Sequence, residues 1–164
     1  MKNALYLLMI AALFSCQQPA PQERSIGFWT AEPGFKWHLG TEEAIQVVKE
    51  LDKVWAAEDW TTMRTFFVDT AKFYLSDGKS LKSPDEFIEL QKKQSELAET
   101  TWTFDYAFSV DLNPAEGGEH VQAGFTVTTK TDSTEVKTYY QESYYIIQGK
   151  VVSWNQSKAE EEKE

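Results

Sequence analysis

Few side chains of this 164-residue chain are of types that could do chemistry together. There is one cysteine, Cys16, and there are two histidines, His38 and His120. His38 precedes the first helical stretch and His120 stands beside Gly117-Gly118, so each reads as a surface imidazole rather than half of a dyad. One thiol supports neither a disulfide framework nor a thiolate cluster. No run of histidines and carboxylates has metal-ligand spacing, so no cofactor is expected. The informative acid is Glu142, set between Tyr140 and Tyr144 in "EVKTYYQESYYII". On a strand, a spacing of two puts all three on one face. A carboxyl among aromatic rings loses water, its pKa rises, and it suits general acid or base work. The same walls could hold a small, flat, partly apolar ligand around one polar anchor. The partners of Glu142 depend on the Gln148-Gly149 turn. A three-residue loop sets Tyr140, Glu142 and Tyr144 beside Val152, Trp154 and Gln156. A two-residue loop sets Tyr139, Gln141 and Tyr145 there instead, because one step of register inverts every side chain.

The elements that must position these groups are legible in order. Thr41 is a plausible N-cap, with Glu42 and Glu43 in the dipole-favoured first turn. Ala44, Val47, Val48, Leu51, Val54 and Trp55 then recur at spacings of three and four, an amphipathic helix ending near Glu58-Asp59. A second short helix carries Met63, Phe66 and Phe67. "AKFYLSDGKSLKS" reads as strand, Asp77-Gly78 turn and strand. Ser83-Pro84-Asp85-Glu86 is a capping box that opens a helix with Phe87, Leu90, Gln94 and Leu97. After Thr100 the period becomes two, and Trp102, Phe104, Tyr106, Phe108 and Val110 form one continuous apolar face. Val121, Ala123, Phe125 and Val127 mark the next strand, the segment around Glu142 a third, and "KVVSWNQ" the last. Helices followed by four long antiparallel strands make the class α+β. Residues 158–164, "KAEEEKE", read as a solvated acidic tail.

Residues 1–15 have a positive start at Lys2 and an apolar run from Ala4 to Phe14, too short to span a bilayer and suited to an export signal. Leu13, Phe14 and Ser15 before Cys16 resemble the lipobox of bacterial lipoproteins, in which the cysteine is lipidated. Gln17 after it implies, by that resemblance, the outer membrane of a Gram-negative cell envelope. Residues 16–40 are a tether, "QQPAPQERS", and then a segment with Phe28, Trp29, Phe35 and Trp37. Four aromatics are an association hazard on a free tether, so this segment is expected to fold back on the domain. A lid over a pocket mouth is the other reading. The net charge of −10 excludes the basic stripe that nucleic acid requires and disfavours docking on anionic lipid. Membrane attachment is therefore expected through the lipid anchor alone.

The order of elements narrows the fold. A capped helix, an acidic corner "AEDW", Phe66-Phe67, "VDTAKFYLSDG", a helix with "SPDEF" and a closing "QGKVVSWNQ" resemble the nuclear-transport-factor-2-like superfamily. SnoaL-like proteins and ketosteroid isomerase belong to it, and the resemblance spans residues 41–157. It implies a cone-shaped curved antiparallel sheet wrapped around N-terminal helices, an internal pocket, and dimers through the outer sheet face. Relatives often carry an inward Glu or His seven or eight residues before the turn glycine, which favours the first register. The lining is then Trp55, Tyr74, Tyr140, Glu142, Tyr144, Trp154 and Gln156. Ketosteroid isomerase needs a tyrosine on the first helix and an aspartate on the first strand. Ungapped counting from the acidic corner places Leu51 and Leu75 there, and leucine transfers no proton. A dehydratase of this fold needs a histidine pair near an aspartate. An epoxide hydrolase needs two aspartates bridged by an arginine, for which only Arg24 and Arg64 exist in the mature chain. The leading expectation is a non-catalytic, ligand-binding or accessory lipoprotein. The alternatives are an isomerase-, cyclase- or lyase-like enzyme using Glu142, and a protein–protein adaptor using the outer sheet face.

Overall fold

The computed structural model describes residues 26–131 and 134–160. The signal segment, Cys16, the proline-containing tether and the last acidic residues lie outside these. Helix α1 spans Glu42–Ala56, and its N-cap Thr41 accepts a hydrogen bond from the Ala44 amide at 3.3 Å. It buries Ala44, Val48 and Leu51, as the apolar stripe requires. The acidic corner follows, with Glu58 at φ 51° and both Glu58 and Asp59 amides bonded back to α1. Asp59 caps α2, Trp60–Arg64, whose Met63 is fully enclosed. Phe66 and Phe67 do not belong to this helix: α2 stops at Arg64 and Phe67 opens a strand. Helix α3 spans Pro84–Leu97 and is capped by the Ser83 hydroxyl at 3.2 Å. Its Glu86 reaches back one residue further than expected, to the Lys82 amide.

Eight strands form one sheet: β1 Gly27–Phe28, β2 Lys36–Leu39, β3 Phe67–Tyr74, β4 Ser80–Leu81, β5 Glu99–Asp111, β6 Glu119–Lys130, β7 Glu135–Ile147 and β8 Lys150–Glu160. Their order is β1-β2-β5-β6-β7-β8-β3-β4. All neighbours are antiparallel except β3 and β8, which run parallel and are linked in the chain through β4, α3 and β5 to β7. The aromatic N-terminal segment is a hairpin, β1–β2, added to β5 through His38 opposite Asp111 and Leu39 opposite Val110. The segment folds back onto the sheet as expected, but of its four aromatics Phe28 and Trp29 stay exposed. The final strand runs through Lys158 and Ala159, so the acidic tail is shorter than residues 158–164.

Two irregularities decide what faces inward. In β5, register steps between Phe104 opposite Phe125 and Tyr106 opposite Gly124, leaving Asp105 as an extra residue. The expected continuous face is therefore split. Trp102 and Phe104 point in, whereas Tyr106 and Phe108 point out and Ala107, Ser109 and Asp111 take the inner side. In β8, Val152 is the extra residue, because Ile146 faces Val151 while Tyr145 faces Ser153. The Gln148-Gly149 turn has two residues, and the bulge restores the register that a three-residue loop was expected to supply. On the concave side the helices and sheet enclose an aromatic core. Phe73 stacks on Phe87 at 4.2 Å, and Phe87 meets Trp154 at 5.0 Å and Trp55 at 5.4 Å.

Candidate functional site

Glu142 lies on the inner face of β7, opposite Ala123 of β6 and Gln156 of β8. Ala123 and, beyond it, Ala107 are small, which leaves room beside the carboxyl for α1. Glu142 is 5% exposed, and three side chains of the same chain bond it. The Tyr144 hydroxyl and the Trp154 indole N–H (3.0 Å) donate to Oε2, and the Gln156 amide donates to Oε1 at 3.0 Å. Tyr144 and Trp154 face each other across β7 and β8 and are buried. The register therefore brings Glu142, Tyr144, Trp154 and Gln156 together as expected. Trp55 joins them from α1, with its ring 6.4 Å from that of Trp154. Tyr140, one inward position along β7, is partly buried against the core.

Tyr74 does not join them. In β3 the buried positions are Phe67, Ala71 and Phe73, so Tyr74 shares the outward side with Lys72. It lines an open groove of about 530 Å3 with Lys72, Leu81 and Lys82. Phe73 fills the place expected for it. Another open groove, about 330 Å3, lies over Tyr106, Gly124 and Tyr139, and Glu142 lines neither.

The residue that sequence reasoning missed is Asp52. It stands three residues before Trp55 on α1, hence on the same helical face, and that spacing was the available signal. Trp102 donates its indole N–H to Asp52 at 2.8 Å, tying the start of β5 to the helix. Burial pushes the Asp52 carboxyl above its ordinary range, against the pull of that bond. Glu142 is also pushed up, chiefly by burial. The bonds from Tyr144, Gln156 and Trp154 pull it down, and the charge of Asp52 adds to the rise. Burial, and next the neighbouring Glu142 charge, raises the Tyr144 hydroxyl well above its usual value, so it remains the donor.

His120 is half-buried between Trp37 and Tyr145, not on the surface, and burial lowers its pKa. His38 pairs with Asp111 and His120 with Val110, so alternation puts the two imidazoles on opposite faces. Arg64 does bridge two aspartates, Asp69 at 2.7 Å and Asp85 at 2.8 Å. These carboxylates are 92% and 75% exposed, so the triad is a surface ion pair outside the concave side. Among the described residues, no group of three or more histidines, cysteines and carboxylates could hold a metal ion.

A curved sheet left open at both ends, backed by three helices on its concave side, with an acid held on that side, is a known arrangement. The chain has the nuclear-transport-factor-2-like fold. An LEH-like epoxide hydrolase from M. tuberculosis superposes with TM-score 0.60 at 13% identity, over 73% of this chain and 84% of the other. A ketosteroid isomerase-like protein from Erwinia carotovora gives 0.57 at 12%, over 71% and 94%. A nuclear-transport-factor-2-like protein from Burkholderia xenovorans gives 0.55 at 14%, over 74% and 92%. Neither a family model nor a curated protein matches the sequence. Structures with this fold carry names of epoxide hydrolases, isomerases and cyclases. The positions that ungapped counting set against ketosteroid isomerase hold a fully buried Leu51 and a partly buried Leu75.

A raised carboxyl pKa has a defined signature in stability. The folded chain holds the Glu142 proton to higher pH than the unfolded chain, whose value is near 4.5. Stability from this site is therefore present below that value and lost as pH climbs through it towards the folded one. Glu142→Gln keeps the shape without the charge. Urea midpoints should show the variant close to wild type at pH 4 and more stable than wild type at pH 7. An equal gap at both pH values, or a variant weaker at pH 7, would remove Glu142 from the desolvated interior.

Proposed function

We propose that the protein is a lipid-anchored envelope protein whose domain binds a small, flat, partly apolar ligand without converting it. The observation that carries this reading is the occupancy of Glu142. Both of its oxygens already accept, from Tyr144, Trp154 and Gln156, and only 5% of the residue is exposed, so a substrate atom would meet a largely engaged and enclosed carboxyl. Trp102, Phe104, Val127 and Tyr140 stay only partly buried on the same inner side, with Asp52 beside Trp102. Aromatic walls with one carboxylate suit such a ligand. Native mass spectrometry of protein purified from its own host should show it retained. Tyr140→Ala should weaken retention by about tenfold, or about 1.4 kcal/mol, while Glu142→Gln should leave it in place. Formation of a product that Glu142→Gln abolishes would replace binding by catalysis.

The anchor rests on Leu13, Phe14 and Ser15 before Cys16, with Gln17 supporting the outer membrane of a Gram-negative cell. Cys16→Ser should abolish palmitate labelling and move the protein from the membrane fraction to the soluble one. A variant that still pellets, together with a wild type that never takes up label, would remove the lipoprotein reading.

A homodimer through the outer sheet face is supported by exposed Tyr106, Phe108 and Tyr139 on one side of the sheet, where Tyr106 and Phe108 lie nearly parallel. Rings gathered on one surface in this way favour a protein contact. Light scattering should give twice the chain mass for wild type and the single mass for Phe108→Glu. A monomeric wild type would leave that face to another partner.

A further inference from the structure

The β1–β2 hairpin exposes its apolar side chains where a globular surface would carry polar ones. Ile26 is 52%, Phe28 75% and Trp29 45% exposed, on the edge strand of the sheet and at the start of its turn. Edge strands are usually blunted by charge. Here Gly27 lets the Trp37 ring lie within 3.2 Å of where its Cβ would be, so Trp37 turns to the sheet. Ile26 and Phe28, which alternate with Gly27, are left on the opposite face. The hairpin is nonetheless well formed, with the Ile26 amide bonded to the Trp37 carbonyl at 2.8 Å and the Phe35 amide to the Glu32 carbonyl at 2.9 Å.

Two further facts decide what meets this surface. Ile26 stands ten residues after Cys16. Even fully extended, that stretch reaches only about 35 Å, so an anchored domain holds the hairpin within that distance of the bilayer. Residues 26–39 also carry one acid, Glu32, and one base, Lys36, within a chain of net charge −10. The segment nearest the anchor is thus neutral, and a membrane surface would not repel it as it would the rest of the protein. Tryptophan and phenylalanine are the side chains that settle at the headgroup level of a bilayer.

We propose that Ile26, Phe28 and Trp29 insert into the headgroup–acyl boundary of the membrane that holds the lipid anchor, and so fix the orientation of the domain on it. This rests on the lipoprotein reading of Cys16. The test uses the full, processed protein in phosphatidylcholine vesicles whose acyl chains carry bromine, which quenches tryptophan fluorescence on contact. Wild type should lose emission that Trp29→Phe does not lose, and the combined Ile26→Ser and Phe28→Ser variant should suppress the quenching. Intact mass separates the two claims. Acyl groups on Cys16 without any Trp29-dependent quenching keep the anchor and overturn the insertion. An unmodified Cys16 overturns the anchor, and the insertion falls with it unless the quenching persists. A photoreactive Phe28→benzoylphenylalanine variant that crosslinks to protein instead of lipid in cells would also overturn the insertion.

Discussion

What the domain encloses depends on two places where neighbouring strands differ by one residue. Side chains alternate across a sheet with a period of two, so a single extra residue exchanges its faces from that point on. Asp105 is the first. Its carboxylate accepts from Thr103 at 2.7 Å and from Thr126 at 2.6 Å, which fastens the bulge from both strands. Next to it Tyr106 stands opposite Gly124, which has no side chain, and the Tyr106 ring lies where a Cβ would have to be, 2.2 Å from its nearest atom. Val152 is the second. Without it the two-residue turn would set Ser143 against Trp154 and Tyr145 against Val152, and Glu142 would lose both its indole and its amide donor. Bulges also bend and twist the strand that carries them, which curves the sheet around the helices.

The site that results is costly in itself. Removing a carboxylate from water carries a penalty of several kcal/mol even after relaxation, and hydrogen bonds to a charged group return roughly 1.5–3 kcal/mol each. Three donors thus come close to offsetting the burial of Glu142 without overturning it, in keeping with the upward direction of its pKa. Asp52 on the facing helix adds a second half-buried carboxyl and a second upward push. Two acids gathered on the concave side strain the fold where an apolar pair would not. That supports the inner face as the working surface, as perturbed acids in an enclosed region generally do.

Two helix starts were legible because capping is local: Thr41 and Ser83 each accept from an amide three residues ahead, as Asp59, not read as a cap, also does. The long strands β5 to β8 and their order along the chain were legible from alternation, whereas the β1–β2 hairpin and the start of β3 at Phe67 were not. Faces were harder. β5 alternates without interruption from Trp102 to Val110, and only its pairing with β6 shows that Asp105 is surplus. The Glu142 face was anticipated through a supposed three-residue loop, whereas a bulge at Val152 does that work. Tyr74 was avoidable, because Lys72 two residues earlier already marks its side as solvated. So was the omission of Asp52, three residues before Trp55. The parallel pairing of β3 with β8 joins segments far apart in sequence, and no local pattern announces it.

The way α1 is held explains why its acid meets the sheet at all. The Thr41 amide and hydroxyl both donate to Glu119 on β6, and the Ser109 hydroxyl of β5 donates to the same carboxylate. Gly40 makes this possible, since a Cβ there would sit 2.1 Å from the Ser109 Oγ and 2.4 Å from Glu119 Oε2. Three bonds on one carboxylate thus pin the first turn of the helix across two strands. Further along, the hydrogen bond from Trp102 to Asp52 joins the helix to β5. The packing of Val48, Leu51 and Trp55 supplies the rest of the attachment. A ligand widening the space beside Tyr140 and Trp102 would therefore strain the Trp102–Asp52 hydrogen bond and leave the pinned end intact. The helix is fixed where it sets register and yields most readily where the half-buried rings stand.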